Sequence, residues 1–297
     1  MKPLIFIDLD GTLLNEQQVI SIENINAIEW AQKRGAEVII ATGRAFFDVQ
    51  HILKQTPLKL RIISANGAAI HDESGLLLNE TTMEQNVGKK AIRWLHEQGF
   101  YYEVFTPKGI FSPFNSQSLL TIEIDKAFSA DPTIDRNSLV NAVAKQRNQQ
   151  GYLPIHNIEA FLQQEIIYYN ILAFTFDEMK REYGKEYFRN DERLTVVTSS
   201  PHNFELMDAK ASKGFAAVAL ANRLNLPLTN SLSIGDSGND LSLFAVTKES
   251  AAMGNADSLV QHLATFITKP NSKDGVANAI YHFLKQYPKE LVQFVSG

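Results

Sequence analysis

Two short acidic segments each follow an apolar run directly. The first is Asp-Leu-Asp-Gly-Thr at 8–12, after Leu4–Ile7, and the second is Gly-Asp-Ser-Gly-Asn-Asp at 235–240, after Leu232–Ile234. Like charges placed close together at the end of a buried strand are costly unless a cation or a substrate group offsets them. Carboxylate and backbone oxygens, together with phosphate oxygens from a substrate, are the ligands that Mg²⁺ takes. The two segments therefore predict magnesium-assisted chemistry on a phosphate.

A simpler interpretation exists for part of the first segment. Asp-Gly is a common turn dipeptide, so a turn accounts for Asp10-Gly11. It does not account for Asp8, and we therefore favour the chemical interpretation of this segment.

Three further polar positions follow predicted strands or begin a predicted helix. Thr42–Arg44 follows Val38–Ala41, and its hydroxyl and backbone amides suit a phosphate cradle, although Thr42 could instead cap the next helix. Asn66 follows Ile62–Ser64 and either forms a turn or presents its amide to a ligand. Lys213 starts a predicted helix, where the helix dipole disfavours a cation unless an anion is near. Each of these signals is weak when taken alone.

The elements that must position these residues alternate between strand and helix. The first apolar runs are separated by a helical pattern that begins after Ser21, and the same rhythm returns after about residue 212. This order predicts a parallel α/β sheet, in which ligands bind beyond the carboxyl ends of the strands. The region between is rich in aromatic and hairpin-like segments, which predicts an α+β unit with an antiparallel sheet. We place the joints near residues 82 and 199.

Composition narrows the function further. The chain has 297 residues, no cysteine and a net charge of −5, so disulfides, thiolate metal sites and cysteine nucleophiles are excluded, and the basic footprint of a nucleic-acid binder is missing. No run approaches the ~18 apolar residues of a membrane span, and Asp8 interrupts the first apolar run. We therefore expect a cytoplasmic protein with no nucleic-acid, membrane or obligate protein partner.

At these residues the sequence resembles the phosphatases of the haloacid dehalogenase superfamily. Their DxDx[TV] motif, their Ser/Thr after the second strand, their distant lysine and their GDxxxD-type motif match 8–12, Thr42, Lys213 and 235–240 in the same order. Ala-Thr-Gly-Arg at 41–44, Asn66-Gly67 and Asn271–Val276 look like the Cof-type branch with a subfamily IIB cap. The resemblance implies a Rossmann-like parallel-sheet core at 1–82 and 199–297. It also implies an inserted α+β cap domain at 83–198 that sets substrate specificity.

The resemblance assigns roles to individual residues. Asp8 would attack phosphorus and form an aspartyl-phosphate, and Asp10 would act as general acid and then as general base. Mg²⁺ would be held by Asp8, the backbone carbonyl of Asp10 and Asp236. Asp240 would support these ligands without contacting the metal itself. Asn239 would act on the phosphoryl group or on a metal-bound water. The implied set that binds phosphate and substrate is Thr42, Gly43, Arg44, Asn66, Lys213 and Asn239.

The predicted function is magnesium-dependent hydrolysis of small phosphorylated metabolites, with sugar phosphates expected first from the resemblance. A phosphomutase using the same aspartyl-phosphate is an alternative. A regulator that only binds phosphorylated metabolites is another, although pure binding gains little from the carboxylate of Asp10.

Overall fold

The computed structural model describes residues 2–285, and the predicted apolar runs near its start form buried strands. In chain order, the first segment contains β1 (Leu4–Ile7), α1 (Ile22–Lys33), β2 (Glu37–Ala41), α2 (Phe46–Leu53), β3 (Arg61–Ser64), β4 (Ala69–His71) and β5 (Leu77–Glu80). The middle segment contains α3 (Gln85–Glu97), β6 (Tyr101–Thr106), β7 (Gly109–Pro113), α4 (Ser116–Ala130), α5 (Arg136–Gln146), β8 (Tyr152–Ile155), α6 (Ile158–Leu162), β9 (Asn170–Phe174), α7 (Glu178–Arg189), β10 (Leu194–Val197) and β11 (Asn203–Asp208). The last segment contains α8 (Lys213–Arg223), β12 (Ser231–Gly235), α9 (Leu241–Phe244), β13 (Glu249–Ala252), α10 (Ser258–Leu263), β14 (Phe266–Ile267) and α11 (Gly275–Leu284).

The first and last segments form one unit around a mostly parallel sheet. The strand order is β14-β13-β12-β1-β2-β3-β4-β5, and the strands from β14 to β3 run parallel, whereas β4 and β5 pair in antiparallel fashion. Because β12, β1, β2 and β3 are parallel neighbours, their carboxyl ends meet at one edge of the sheet. The predicted site residues 8–12, 42–44, 66 and 236–240 all follow these four ends.

Apolar side chains cover both faces of this sheet. Leu4 and Phe6 of β1 belong to one buried cluster, with residues of α8, and Ile5 and Ile7 belong to the other, with residues of α1 and α11. Strands buried on both faces are continuously apolar, which is why these strands could be predicted from the sequence. The Ser21 side chain accepts a hydrogen bond from Asn24 N and caps α1, as predicted.

The middle segment, residues 81–210, forms the second unit. Its six strands have the order β10-β11-β9-β6-β7-β8, with antiparallel pairing except between β7 and β8. The fold is thus an α/β core with an inserted α+β unit. The second joint lies at 210/211 rather than at the predicted 199, because β11 pairs with β9 and β10.

The sequence predicts a closing helix over residues 274–286. This helix is α11, Gly275–Leu284, and Gln286 lies outside the described residues. Among residues 2–285, no helix is long and apolar enough to cross a lipid bilayer.

Candidate active site

The loop after β1 carries the predicted nucleophile. Asp8 N donates a hydrogen bond to Ile234 O at 3.0 Å, which fixes the end of β1 against β12. Leu13 N donates to Asp8 O at 3.2 Å and closes an irregular turn. Gly11 has φ +74° within this turn, and a Cβ on it would lie 2.2 Å from Oδ2 of Asp236. Glycine is therefore required here, because it allows both the left-handed backbone and the close approach of the two acidic loops.

Three carboxylates and one ammonium group form the centre of the site. Asp8, Asp236 and Asp240 each offer a carboxylate oxygen within 4.8 Å of the others. The Lys213 Nζ donates to Oδ1 of Asp8 and to Oδ1 of Asp240, each at 2.7 Å. Lys213 and Asp240 are completely buried, and Asp8 is nearly so. Three predicted site segments from distant parts of the sequence thus meet in direct contact.

This arrangement changes the proton affinities of the central groups. Burial raises the pKa of Asp8 well above its ordinary value, and the charges of Asp240 and Asp236 raise it further, whereas Lys213 lowers it. Burial lowers the pKa of Lys213, but Asp240 and Asp8 outweigh burial and raise this pKa above its usual range. Lys213 is therefore held as a cation, and the cluster of carboxylates favours further positive charge.

Asp240 serves as an anchor within its own loop. Its Oδ2 accepts hydrogen bonds from the backbone N of Asp236 at 3.0 Å and of Ser237 at 3.1 Å, while its Oδ1 accepts from Lys213. A Cβ on Gly235 would lie 2.4 Å from Oδ2 of Asp240. Both oxygens of Asp240 are thus engaged in holding the loop and the lysine.

Lys213 is the first residue of α8. The Ser212 side chain accepts a hydrogen bond from Phe215 N at 3.1 Å and caps α8. For a single lysine at a helix start, a solvated side chain is the usual outcome, yet Lys213 is fully buried. Its ion pairs with two carboxylates explain how the charge is tolerated there.

The segment after β2 has a different local role from the capping alternative. Helix α2 begins at Phe46 with Ala45 at its N-cap position, so Thr42 does not cap it. Instead, the Thr42 Oγ1 accepts from Arg44 N at 3.1 Å and shapes the turn. Thr42 is almost fully buried at the sheet edge.

Arg44 contacts carboxylates instead of lying open to solvent. Its Nε and Nη2 donate to the two carboxylate oxygens of Asp10 at 2.7 and 2.8 Å, and its Nη1 donates to Asp48 at 2.7 Å. Nη2 also donates to Gln18 at 2.9 Å. Burial lowers the pKa of Arg44, but Asp10 and Asp48 more than compensate and raise it. Arg44 thus contacts two carboxylates in this structure, and its role in phosphate binding stays a prediction.

Asn66 and Asn239 meet at the same edge. The Asn239 Nδ2 donates to Oδ1 of Asn66 at 2.9 Å, and Asn66 N donates to Thr42 O at 2.9 Å. Gly43 lies against this amide, since a Cβ on it would be 3.2 Å from Oδ1 of Asn66. The structure thus brings every predicted site residue to one edge of the sheet, and their catalytic roles stay predictions.

Some residues of the site were missed or given little weight in the sequence. Asp48 and Gln18 were missed. Asp48 lies four positions after Arg44, but Arg44 precedes α2, so the two residues are not an ion pair on one helix face. Asn271 was noted in the sequence only as part of the Cof-type resemblance, and its Nδ2 donates to Leu14 O at 2.8 Å. Asn255, whose Nδ2 donates to Gly11 O at 2.8 Å, gave no signal in the sequence. These two asparagines hold the loop after β1 from outside.

The comparisons with known proteins agree with this fold and site. The sequence profile of the haloacid dehalogenase-like hydrolases matches residues 5–280. The chain therefore belongs to this family, and it is a phosphatase of the haloacid dehalogenase type.

Individual relatives are similar over nearly the whole chain. Phosphatase YwpJ of Bacillus subtilis (strain 168) is 42% identical over 283 residues, which are 95% of this chain and 99% of YwpJ. The 5-amino-6-(5-phospho-D-ribitylamino)uracil phosphatase YwtE of the same strain is 39% identical over 94% of this chain and 97% of its own length. A solved haloacid dehalogenase-like hydrolase from B. subtilis superposes with a TM-score of 0.84 at 42% identity, covering 95% of this chain and 99% of that one.

Proposed function

We propose that this phosphatase is a magnesium-dependent phosphomonoesterase that hydrolyses small phosphorylated metabolites through an aspartyl-phosphate on Asp8. The observation that carries the proposal is the pairing of Asp8 with Lys213 inside a cluster of three buried or half-buried carboxylates. A carboxylate nucleophile divides one difficult hydrolysis into two easier steps. A fixed cation beside it allows an anionic phosphate ester to approach.

The residues at the sheet edge fit a bound divalent cation. This edge carries the carboxylates of Asp8, Asp10, Asp48, Asp236 and Asp240. Lys213 contacts Asp8 and Asp240, and Arg44 contacts Asp10 and Asp48. The pKa of Asp8 is raised because the residue is buried and because the neighbouring carboxylates of Asp240 and Asp236 disfavour its negative charge. Asp8, Asp236 and the backbone carbonyl of Asp10 would hold Mg²⁺, which when bound supplies positive charge to the phosphoryl oxygens.

In the first step, a carboxylate oxygen of Asp8 forms a bond to phosphorus while the bond from phosphorus to the leaving oxygen breaks. Asp10 gives its proton to that oxygen, so the product leaves as a neutral alcohol. Lys213 keeps its proton throughout and stabilises the negative charge on the phosphoryl group. Thr42, which is buried after β2, would donate its hydroxyl to the same group.

In the second step, water attacks the phosphorus of the aspartyl-phosphate. Asp10 accepts a proton from this water, the bond between phosphorus and Asp8 breaks, and inorganic phosphate leaves. Arg44 contacts both oxygens of Asp10 and orients this carboxylate. One of these two contacts has to open when Asp10 carries the proton. The same carboxylate therefore serves as acid and then as base.

The substrate class rests on the resemblance and on one relative. We infer sugar phosphates and related phosphorylated polyols as substrates. The relative YwtE is named for a substrate with a phosphorylated ribityl chain, which is such a polyol. We also propose that the inserted unit, residues 81–210, contributes to substrate selection.

The test is release of inorganic phosphate from a panel of sugar phosphates, nucleotides, cofactor phosphates and 5-amino-6-(5-phospho-D-ribitylamino)uracil. Each compound is assayed with Mg²⁺ and with chelator, using wild type, Asp8→Asn and the control Asp257→Asn, which changes an exposed residue. We expect Mg²⁺-dependent release by wild type and by the control. Asp8→Asn is expected to lose at least about 10⁴-fold in turnover.

Three outcomes would contradict parts of the proposal. Full turnover by Asp8→Asn would rule out the aspartyl-phosphate. Isomerised product without free phosphate would identify a phosphomutase. Tight binding of a phosphate ester with no turnover in Mg²⁺ would identify a binding protein.

A further inference from the structure

Two residues besides Asp10 hold the guanidinium of Arg44. Its Nη1 donates to Oδ2 of Asp48 at 2.7 Å, and its Nη2 donates to Oε1 of Gln18 at 2.9 Å. Asp48 is 2% exposed and Arg44 is 7% exposed, so their ion pair lies out of solvent. The three partners of the guanidinium come from different parts of the unit, namely the loop after β1, the turn before α1 and the helix α2.

Asp48 is fixed with respect to the segment that carries Arg44. It lies in the first turn of α2, and its backbone N donates to Ala45 O at 3.1 Å, in the residue next to Arg44. Charged hydrogen bonds of this length are strong, and burial makes this one a firmer restraint than an exposed pair would be. No step of the proposed reaction uses the carboxylate of Asp48 directly.

Gln18 reaches Arg44 from an unusual backbone conformation. Its φ is +59°, in the left-handed region that residues other than glycine seldom adopt. The turn that contains it is closed by two backbone bonds, from Asn15 N to Val19 O at 3.1 Å and from Gln18 N to Asn15 O at 2.9 Å. Such conformations persist where the surrounding structure holds them, and they are concentrated at functional sites.

The two-point contact between Arg44 and Asp10 has to loosen during the reaction. When one oxygen of Asp10 carries the proton, that oxygen donates and no longer accepts from the guanidinium. Nε has a single hydrogen, which it donates to Oδ2 of Asp10, whereas Nη2 has two and donates to Oδ1 of Asp10 and to Gln18. Opening the Nη2 contact with Asp10 therefore leaves Arg44 held by Asp48, by Gln18 and by the other oxygen of Asp10.

We propose that Asp48 and Gln18 are positioning residues that hold Arg44, and through it Asp10, in the place from which Asp10 protonates the leaving oxygen. The inference rests on the proposed phosphatase function and goes beyond it, because it gives a role in the reaction to two residues that the sequence did not single out. It follows that both residues matter most for esters whose leaving group needs a proton.

The test compares two phosphate esters that differ in their need for Asp10. A sugar phosphate has an alkoxide leaving group that requires a proton, whereas 4-nitrophenyl phosphate releases a phenolate that is stable without one. The sugar phosphate is the compound in the panel above that wild type hydrolyses with the highest kcat/KM. This quantity reports the steps up to departure of the leaving group, so it is independent of the later hydrolysis of the aspartyl-phosphate.

We expect Asp48→Ala to lower kcat/KM about 30-fold for the sugar phosphate and no more than about threefold for 4-nitrophenyl phosphate. Asp48→Asn can still accept from Arg44, so it should recover most of the loss. Gln18→Asn shortens the amide but retains a residue type that tolerates the left-handed backbone. It should lower kcat/KM about fivefold, for the sugar phosphate alone, and it decides the question should Asp48→Ala fail to fold.

The matched control is Glu37→Ala, which removes another carboxylate from a partly buried ion pair. Glu37 pairs with Arg61 of the neighbouring strand, and it is the first residue of β2, at the end of the strand remote from the site. Its loss should leave the ratio of the two kcat/KM values as it is in wild type.

Equal losses for both esters in Asp48→Ala and Gln18→Asn would overturn the inference, because the two residues would then serve stability or phosphate binding instead of protonation of the leaving group. Wild-type values for both variants would overturn it as well. In either case, Mg²⁺-dependent phosphate release by wild type would still support the proposed function. Absence of release from both esters by wild type would overturn the proposed function, and the inference with it.

Discussion

The guanidinium of Arg44 donates to both carboxylate oxygens of Asp10, through Nε at 2.7 Å and Nη2 at 2.8 Å. The same guanidinium contacts Asp48, which is 2% exposed, through Nη1 at 2.7 Å. Planar two-point pairing of this kind fixes the direction of a carboxylate, which a lysine cannot do. The proposed acid and base of the reaction is therefore oriented by Arg44, which lies in the loop between β2 and α2.

Replacing Arg44 with Met should lower both stability and activity. The change leaves Asp48 buried without this partner, and breaking a buried ion pair in this way costs about 3–5 kcal/mol of the free energy of unfolding. Urea denaturation of wild type and Arg44→Met measures this loss, and phosphate release measures the effect on Asp10. Arg44→Lys retains the positive charge but not the two-point contact of the guanidinium. Its stability and activity should therefore lie between those of wild type and Arg44→Met.

The control for this prediction is Lys33→Met. Lys33 and Glu29 form an exposed pair with the same i,i+4 spacing, and such pairs contribute about 0.5 kcal/mol or less. Similar free energies of unfolding for Arg44→Met and Lys33→Met would show that the network of Arg44 is not a significant source of stability.

Binding of Mg²⁺ should stabilise the folded chain. A ligand that binds only the folded state adds about 2.7 kcal/mol at a concentration of 100 times its Kd. We expect Mg²⁺ to raise the Tm of wild type, chelator to reverse the effect, and Asp236→Asn to abolish most of it. Asp257→Asn, at an exposed position, should respond as wild type does. An Asp236→Asn variant with the full Mg²⁺ shift would place the metal elsewhere.

Much of the core could be predicted because its strands are buried on both faces. Such strands are mostly apolar, so β1, β2, β3 and β12 were found within one residue at each end, although β12 contains two serines. In contrast, α4 was missed, since its first turns follow a hairpin and show no clear apolar stripe. The short, mostly exposed β5 was missed for a similar reason. The joint predicted at 199 lies too early in the chain, because the sequence of β11 does not reveal that this strand pairs with β9 and β10 of the second unit.

The candidate site could be located but not assembled from the sequence. Residues at strand ends were found because parallel topology brings those ends to one edge. Which side chains touch depends on tertiary packing. The pairing of Arg44 with Asp10, and the bond from Asn239 to Asn66 across 173 positions, have no local signal in the sequence. The complete burial of Lys213 likewise follows only from the meeting of α8 with two acidic loops.

A buried carboxyl in the second unit has an unusual proton affinity. Glu103 on β6 is fully buried and accepts from the hydroxyls of Tyr101 at 2.6 Å and Tyr152 at 2.9 Å. Burial raises the pKa of Glu103 from 4.5 to about 7, although these hydrogen bonds, Gln146 and Arg147 lower it. The group is therefore partly protonated near neutral pH.

Glu103 should make stability fall as pH rises. Because its folded pKa lies above its unfolded value, the stabilisation from the proton is complete below pH 4.5 and lost through about pH 7, which amounts to about 3 kcal/mol. Denaturation of wild type and Glu103→Gln across this range should show a flatter profile for the variant. Subtracting the profile of the variant from that of wild type removes the pH dependence that comes from other groups, such as His71. Glu97→Gln, at an exposed position, should follow wild type, and parallel profiles for all three would refute the assignment.

Gly67 should tolerate alanine far less than another glycine of the same unit with a similar backbone. Gly67 has φ +100° and Gly35 has φ +81°, but a Cβ on Gly67 would lie 2.1 Å from Ser212 O, whereas one on Gly35 meets nothing within 4 Å. Both substitutions incur left-handed strain of about 1–2 kcal/mol, and Gly67→Ala adds about 1–3 kcal/mol of overpacking. Since Ser212 caps the helix that begins at Lys213, Gly67→Ala should also reduce phosphate release while Gly35→Ala retains it. Denaturation and phosphate release are measured for both variants. Equal losses of stability and of phosphate release in the two would mean that close contact at Gly67 does not position Lys213.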